Sequence, residues 1–198
     1  GVDNAVKLWD PASGRLALSL SPGGSGGLYS LCFSPDGKRL AAGSGNGTAG
    51  IWDLGTGGQV LTLTVGTYWV TDIAFSRDGT HLATSGRDGT VAVWDAASGS
   101  RVAYGELDTG TELWGVAFSP DGSRLAGGSS DGYVRVWDWA SASAVLSLRE
   151  GAGVYSIAWS PDGQRLAAGR QDGVVTLWDA SSGKRLLTLP GHTGMVLR

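Results

Sequence analysis

The chain has 198 residues, 41% hydrophobic and 17% charged, with a formal net charge of −3. That length holds one domain or one array of small units, with enough apolar residues for a sizeable core. The acidic balance argues against a nucleic-acid module or a polybasic membrane module, one Cys excludes a disulfide framework or Cys-rich zinc site, and two His leave little for histidine-based catalysis.

No apolar run is long enough for a transmembrane helix, and no secretion signal opens the chain, so the expected location is cytoplasmic. Gly, at 34 residues, disfavours helices and suits a chain that turns often. Nine Trp in so short a chain call for an internal repeat. Trp-Asp begins at Trp9, Trp52, Trp94, Trp137 and Trp178, at spacings of 43, 42, 43 and 41. Ser-Pro-Asp-Gly runs in phase from Ser34, Ser119 and Ser160, with Ser-Arg-Asp-Gly from Ser76. Asn46-Gly47, Asp88-Gly89, Asp131-Gly132 and Asp172-Gly173 each stand six residues before a Trp.

In chain order, Asp3 to Asp10 and Arg15 to Ser21 match the third and fourth strands of a unit whose first two strands are lacking. Four complete units follow, at about 28–65, 69–107, 113–149 and 154–190, and 192–198 matches only the start of another. The unit from Tyr68 to Leu107 serves as the pattern. Val70 to Phe75 is apolar and β-prone, and Ser76 to Gly79 is a turn. His81 to Ser85 is a second strand. Asp88-Gly89 predicts a two-residue hairpin with positive φ at both positions. Val91 to Trp94 lies in a third strand, Ala96 to Ser100 is a loop, and Val102 to Leu107 is a fourth strand. First strands end in a small residue and an aromatic: Cys32-Phe33, Ala74-Phe75, Ala117-Phe118 and Ala158-Trp159. Third strands carry Ile51, Val93, Val136 or Leu177 beside the Trp, whereas fourth strands are mixed. Inner strands apolar on both faces predict sheets stacked face to face about an axis. The expected fold is all-β, four complete four-stranded antiparallel blades with partial blades at the ends.

These markers closely resemble the WD40-repeat β-propeller family over essentially the whole chain. The resemblance implies that first strands line a central channel, that the family works mostly as a non-catalytic platform for assembling proteins, and that seven blades are usual. Four complete blades are fewer, so the expectation is a piece of a longer propeller whose partial ends pair with each other or with another copy. The family often ties a blade with a His, a Ser or Thr, the Trp and the turn Asp. Here Gly-His stands only at Gly191-His192, and the hydroxyl slots hold Ala42, Thr84, Gly127 and Ala168, so that network is expected to be absent.

Counting back four from each first-strand aromatic gives Tyr29, Thr71, Trp114 and Tyr155; counting back six gives Gly27, Trp69, Glu112 and Gly153. A third slot before the turn Asp or Asn holds Gly45, Arg87, Ser130 and Gln171. In the family these slots open on the top face at the channel mouth and often contact partners. The candidate ligand-binding residues are therefore Tyr29, Trp69, Thr71, Arg87, Trp114, Tyr155 and Gln171, residue types that recur at binding hot spots. The competing reading is that the rings plug the channel.

Catalytic readings fail on the residues. No Ser-His-Asp set is credible, His81 falls just after a turn, Cys32 is a small core residue, and the repeated Asp are turn formers. Gly43-Ser44-Gly45-Asn46-Gly47 lacks the Lys and helix of a phosphate loop. Trp139 is expected as an exposed loop aromatic on the opposite face. The sequence therefore points to a non-enzyme with no metal and no cofactor, binding a protein or peptide but neither nucleic acid nor membrane. Self-association through open blade ends is a further expectation. The alternative is a structural or sensor region of a larger multidomain regulatory protein, bacterial by its Arg-over-Lys bias of 12 to 3.

Overall fold

The turns set the architecture. In the computed structural model, which describes residues 5–21, 26–66, 68–106 and 110–197, every strand is short and bounded by them. A two-stranded sheet pairs β1 (Val6–Trp9) with β2 (Leu16–Leu20). Four sheets of four antiparallel strands follow. The first holds β3 (Leu28–Phe33), β4 (Arg39–Ser44), β5 (Thr48–Asp53) and β6 (Gln59–Thr64). The second holds β7 (Val70–Phe75), β8 (His81–Gly86), β9 (Thr90–Asp95) and β10 (Arg101–Glu106). The third holds β11 (Leu113–Phe118), β12 (Arg124–Ser129), β13 (Tyr133–Asp138) and β14 (Ser143–Arg149). The fourth holds β15 (Val154–Trp159), β16 (Arg165–Arg170), β17 (Val174–Asp179) and β18 (Arg185–Pro190).

The repeated Ser and Asp build the turns. Between β3 and β4 the Ser34 hydroxyl donates to Asp36 at 2.6 Å and accepts the Arg39 amide at 2.9 Å. Ser76, Ser119 and Ser160 repeat this with Asp78, Asp121 and Asp162. The Asp of Trp-Asp closes the next loop: Asp53 Oδ1 accepts from the amide and the hydroxyl of Thr56. The hairpins between second and third strands differ from expectation. Gly47, Gly89, Gly132 and Gly173 take φ between +79° and +82°, but Asn46, Asp88, Asp131 and Asp172 do not. One left-handed residue after an ordinary turn suffices, because a hydrogen bond such as Gly89 N to Gly86 O at 3.0 Å spans four residues.

The sheets stack in chain order. First strands meet across each boundary, β3 with β7, β7 with β11 and β11 with β15. A Cβ on Gly43 would stand 2.6 Å from Val70 Cγ1, and one on Gly128 2.6 Å from Val154 Cγ1. At these two boundaries the second strand of one sheet thus takes the first valine of the next into a slot that only Gly leaves open. The Trp of Trp-Asp in the four-stranded sheets packs on the preceding sheet: Trp52 on Val6 and Leu20, Trp94 on Ile51 and Leu63, Trp137 on Val91 and Val93, Trp178 on Val136 and Leu148.

That direction of packing separates equivalent positions of the repeat. Trp9 is 58% exposed whereas Trp52 is 1% exposed, because no sheet precedes β1 among the described residues. Phe33 is 52% exposed whereas Phe118 is 9% exposed, because β1 and β2 do not reach across the inner half of the sheet Phe33 faces. Cys32 is half-buried rather than core. Trp139 is half-buried, not exposed: its indole donates to Gly122 O at 2.7 Å, and its ring meets His81 at 4.8 Å. Among the described residues the two chain ends pack on different sheets. β1 and β2 pack on the β3–β6 sheet, and Val196 N donates to Arg170 O at 3.0 Å on the fourth sheet.

The expected absence of a polar network also fails, in two sheets. In the second, Trp94 Nε1 donates to the buried Thr84 hydroxyl at 3.0 Å. In the fourth, the buried carboxylate of Glu150 accepts from Trp178 Nε1 at 2.5 Å and from the Thr176 hydroxyl. The acceptor comes from the loop before the sheet, where a search for Gly-His overlooks it.

Candidate top-face site

The four residues four places before the core aromatics share a backbone feature. Leu28 pairs with Ser44 and Ser30 with Gly43, which leaves Tyr29 as an extra residue in the ladder. Thr71, Trp114 and Tyr155 are extra in the same way, between Val70 and Asp72, Leu113 and Gly115, and Val154 and Ser156. A β-bulge of this kind re-aims the side chain it carries. The other two slots are tied together in every sheet. Gly45 N donates to Gly27 O, Arg87 N to Trp69 O, Ser130 N to Glu112 O and Gln171 N to Gly153 O, all at 2.8–2.9 Å. The seven candidate residues therefore sit at one end of the four sheets, where first strands begin.

The aromatics form two pairs rather than one continuous rim. Tyr29 stacks on Trp69 across the first boundary, with centroids 4.5 Å apart and planes 19° apart. Trp114 stacks on Tyr155 across the third boundary at 5.1 Å and 30°. Between the pairs, the Arg87 guanidinium lies 4.7 Å from the Trp69 ring centroid. Its Nε also meets Glu112 Oε1 at 2.5 Å across the second boundary. Beneath it the Thr71 hydroxyl bridges the same sheets, 2.5 Å from Leu113 O and 3.0 Å from Ser85 Oγ. Gln171 is exposed, and its Oε1 reaches to 3.4 Å from the Cβ position of Gly153. Glu112 is the residue that the sequence selection passed over. It occupies the same slot as Trp69, and only the fold brings it to Arg87.

The electrostatics are local. The hydrogen bond and the charge of Glu112 raise the Arg87 pKa above its already high ordinary value. The surface offers a cation over an indole, one carboxylate and four rings. Tyr29 is 47% exposed, and Trp69, Trp114 and Tyr155 are half-buried. Trp114 Nε1 is itself buried without a hydrogen-bond partner, a donor whose burial costs on the order of 1–3 kcal/mol. Among the described residues no three His, Cys, Asp or Glu are grouped to hold a metal ion, and no helix is long and apolar enough to cross a membrane.

Stacked four-stranded antiparallel sheets, each carrying its Trp onto the one before, define blades of the β-propeller type. Matches to the WD domain, G-beta repeat family fall at residues 16–53, 57–95, 104–138 and 143–179, more than half of the chain. The chain belongs to the WD40 family. Each match runs from the fourth strand of one sheet to the third of the next, so one sequence repeat straddles two blades.

Among curated relatives, WD repeat-containing protein 1 of Gallus gallus is 34% identical over 67 residues, 33% of this chain and 11% of that protein. The same-named protein of Xenopus tropicalis is 37% identical over 71 residues, 34% of this chain and 11% of its own length. The guanine nucleotide-binding protein subunit beta of Oryza sativa subsp. indica is 38% identical over 58 residues, 29% of this chain and 15% of that subunit. The match thus spans about a tenth to a seventh of these relatives.

Proposed function

We propose that the chain binds a protein or peptide, without catalysis, through the end lined by Tyr29, Trp69, Thr71, Arg87, Trp114, Tyr155 and Gln171. The observation that carries this reading is the repeated bulge. It turns four side chains out of the ladder at one end of four successive sheets. Partly exposed Trp and Tyr beside an Arg form the usual centre of a binding hot spot. WD40 repeats commonly act as protein-interaction scaffolds, which agrees with it.

The experiment is an unbiased peptide-display selection against the folded chain. Selected peptides are then titrated against Trp69→Ala and Arg87→Ala. Loss of about tenfold or more in affinity for both supports the site. Peptides that bind both variants as tightly as the parent overturn it.

A second reading has its own support. Thr71–Leu113, Tyr29–Trp69 and Trp114–Tyr155 each bridge two sheets, as they would if the slots only staple the blades. That reading requires Trp114→Ala to unfold the chain as readily as a core substitution.

A further inference from the structure

The outer strands of the sheets carry two leucines on the face turned toward the next sheet. Cross-strand register fixes the positions: Leu18 and Leu20 lie opposite Leu8 and Val6, Leu61 and Leu63 opposite Ile51 and Ala49. Leu146 and Leu148 lie opposite Val136 and Val134, and Leu187 and Leu189 opposite Leu177 and Val175. β10 alone departs, with Ala103 opposite Val93 and Gly105 opposite Val91. Seven side-chain carbons are missing from the second sheet.

Three neighbouring features follow that loss. First, the loop between third and fourth strands uses a left-handed Gly in the other four cases, Gly14, Gly57, Gly99 and Gly183, but here uses Ala142 at φ +55°. A Cβ on Gly99 would stand 3.2 Å from Leu63 Cδ2, and one on Gly183 3.0 Å from Leu148 Cδ2; without the two leucines the methyl of Ala142 has room. Second, Trp137, which packs on this sheet, is only half-buried, whereas Trp52, Trp94 and Trp178 are buried. Third, the slot after the Asp of Trp-Asp is filled by the small, buried Ala96 and Ala180 in the second and fourth sheets, and here by Trp139. Trp139 does not fill the hole, because its indole is held by Gly122 O and His81. It walls it. What remains is a pocket of about 200 Å³ between the second and third sheets, with no charged residue among the described residues that line it.

We propose that this pocket is a binding site for a small, neutral, apolar molecule, an aromatic or branched aliphatic compound of about seven to nine carbons. The floor is Trp137, one wall is Trp139, and the opposite wall is Val91, Val93, Ala103 and Gly105. The size is adequate: an enclosed apolar cavity of roughly 150 Å³ already takes up benzene, and this partly open pocket is larger. The shape argument is the leucine pair that occupies the equivalent space at the other boundaries. This site is separate from the top-face residues, so each can fail without the other.

The test uses 4-fluorotoluene, observed by ¹⁹F NMR while the protein is titrated in. Saturable line broadening is expected. Ala103→Leu restores one missing side chain and should weaken binding at least about tenfold, with an unchanged or higher Tm. Gly105→Ala, whose Cβ would stand 3.3 Å from Val91 Cγ1, should weaken it less and serves if Ala103→Leu does not fold. Leu63→Ala, in an equivalent position at another boundary, should leave the probe's affinity for the pocket unchanged. No saturable broadening with the parent chain, or equal affinity in the variants that narrow the pocket, overturns the proposal.

Discussion

Trp178 Nε1 donates to Glu150 Oε1 at 2.5 Å inside the fourth sheet, and both residues are buried. The same carboxylate oxygen accepts from the Thr176 hydroxyl, and the other oxygen lies 3.6 Å from Arg170 Nη1. A carboxylate is buried at tolerable cost only when such donors surround it. Removing it strands the Thr176 hydroxyl hydrogen and leaves Trp178 Nε1 only its longer bond to Thr176 Oγ1 at 3.2 Å. Glu150→Ala should destabilise the chain by roughly 3 kcal/mol, measured by urea unfolding. Glu150→Gln, which keeps an acceptor, should cost clearly less. In a cycle with Trp178→Phe the two losses should be strongly non-additive.

Ala142 holds a left-handed conformation at φ +55° where the equivalent residues are Gly. For a residue with a Cβ that conformation costs about 1–2 kcal/mol, part of which the greater chain entropy of Gly returns. Ala142→Gly should therefore stabilise by up to about 1 kcal/mol. Gly99→Ala should do the reverse and by more, since it adds strain at φ +74° to a contact with Leu63 at 3.2 Å. Paired thermal melts check both signs.

Trp94 and Trp114 separate the two readings of the top face. Trp94 is buried against Ile51, Leu63 and Leu82 with its N–H bonded to Thr84, so Trp94→Ala should cost about 3–5 kcal/mol. Trp114 is half-buried and its N–H is unpaired. Trp114→Ala should cost less than half as much if the ring serves a ligand. Equal destabilisation in denaturant melts would instead assign the ring to stapling the third and fourth sheets.

The repeated turns carry the acid sensitivity. The Ser76 hydroxyl, then the Thr80 amide and hydroxyl, hold Asp78 down to about 2. Ser181 first, then Ser182, hold Asp179 below the ordinary carboxylate range as well. A carboxylate with a depressed folded pKa contributes stability that is complete above its unfolded value, near 3.9. That contribution fades as pH falls through the folded value. The Tm gap between the parent and Asp78→Asn should thus be constant from neutral pH to about pH 4. It should shrink between there and about pH 2. A gap that stays constant over that range would contradict the assignment.

Strands, turns and the spacing of blades are legible in the sequence because they are local. Ser34, Asp36 and Gly37 make their turn with residues within five positions of one another, and Trp-Asp closes the next loop in the same way. Burial is not local. Trp9 and Trp52 hold the same place in the repeat, each between an aliphatic residue and an Asp, yet one lies open and the other closed, because the surface each ring seeks belongs to the sheet before its own. The top-face slots could be counted off the repeat, but not their partners. Arg87 meets Glu112 from 25 residues away, and the bulge that turns out Tyr29 arises from pairing with β4. Glu150 reads as an ordinary acidic loop residue until β17 brings Thr176 and Trp178 against it. A loss of three carbons at Ala103 and of four at Gly105 is invisible to a hydrophobic pattern. Only the stacking of one sheet on the next converts it into a cavity, since close-packed interiors register every missing methylene.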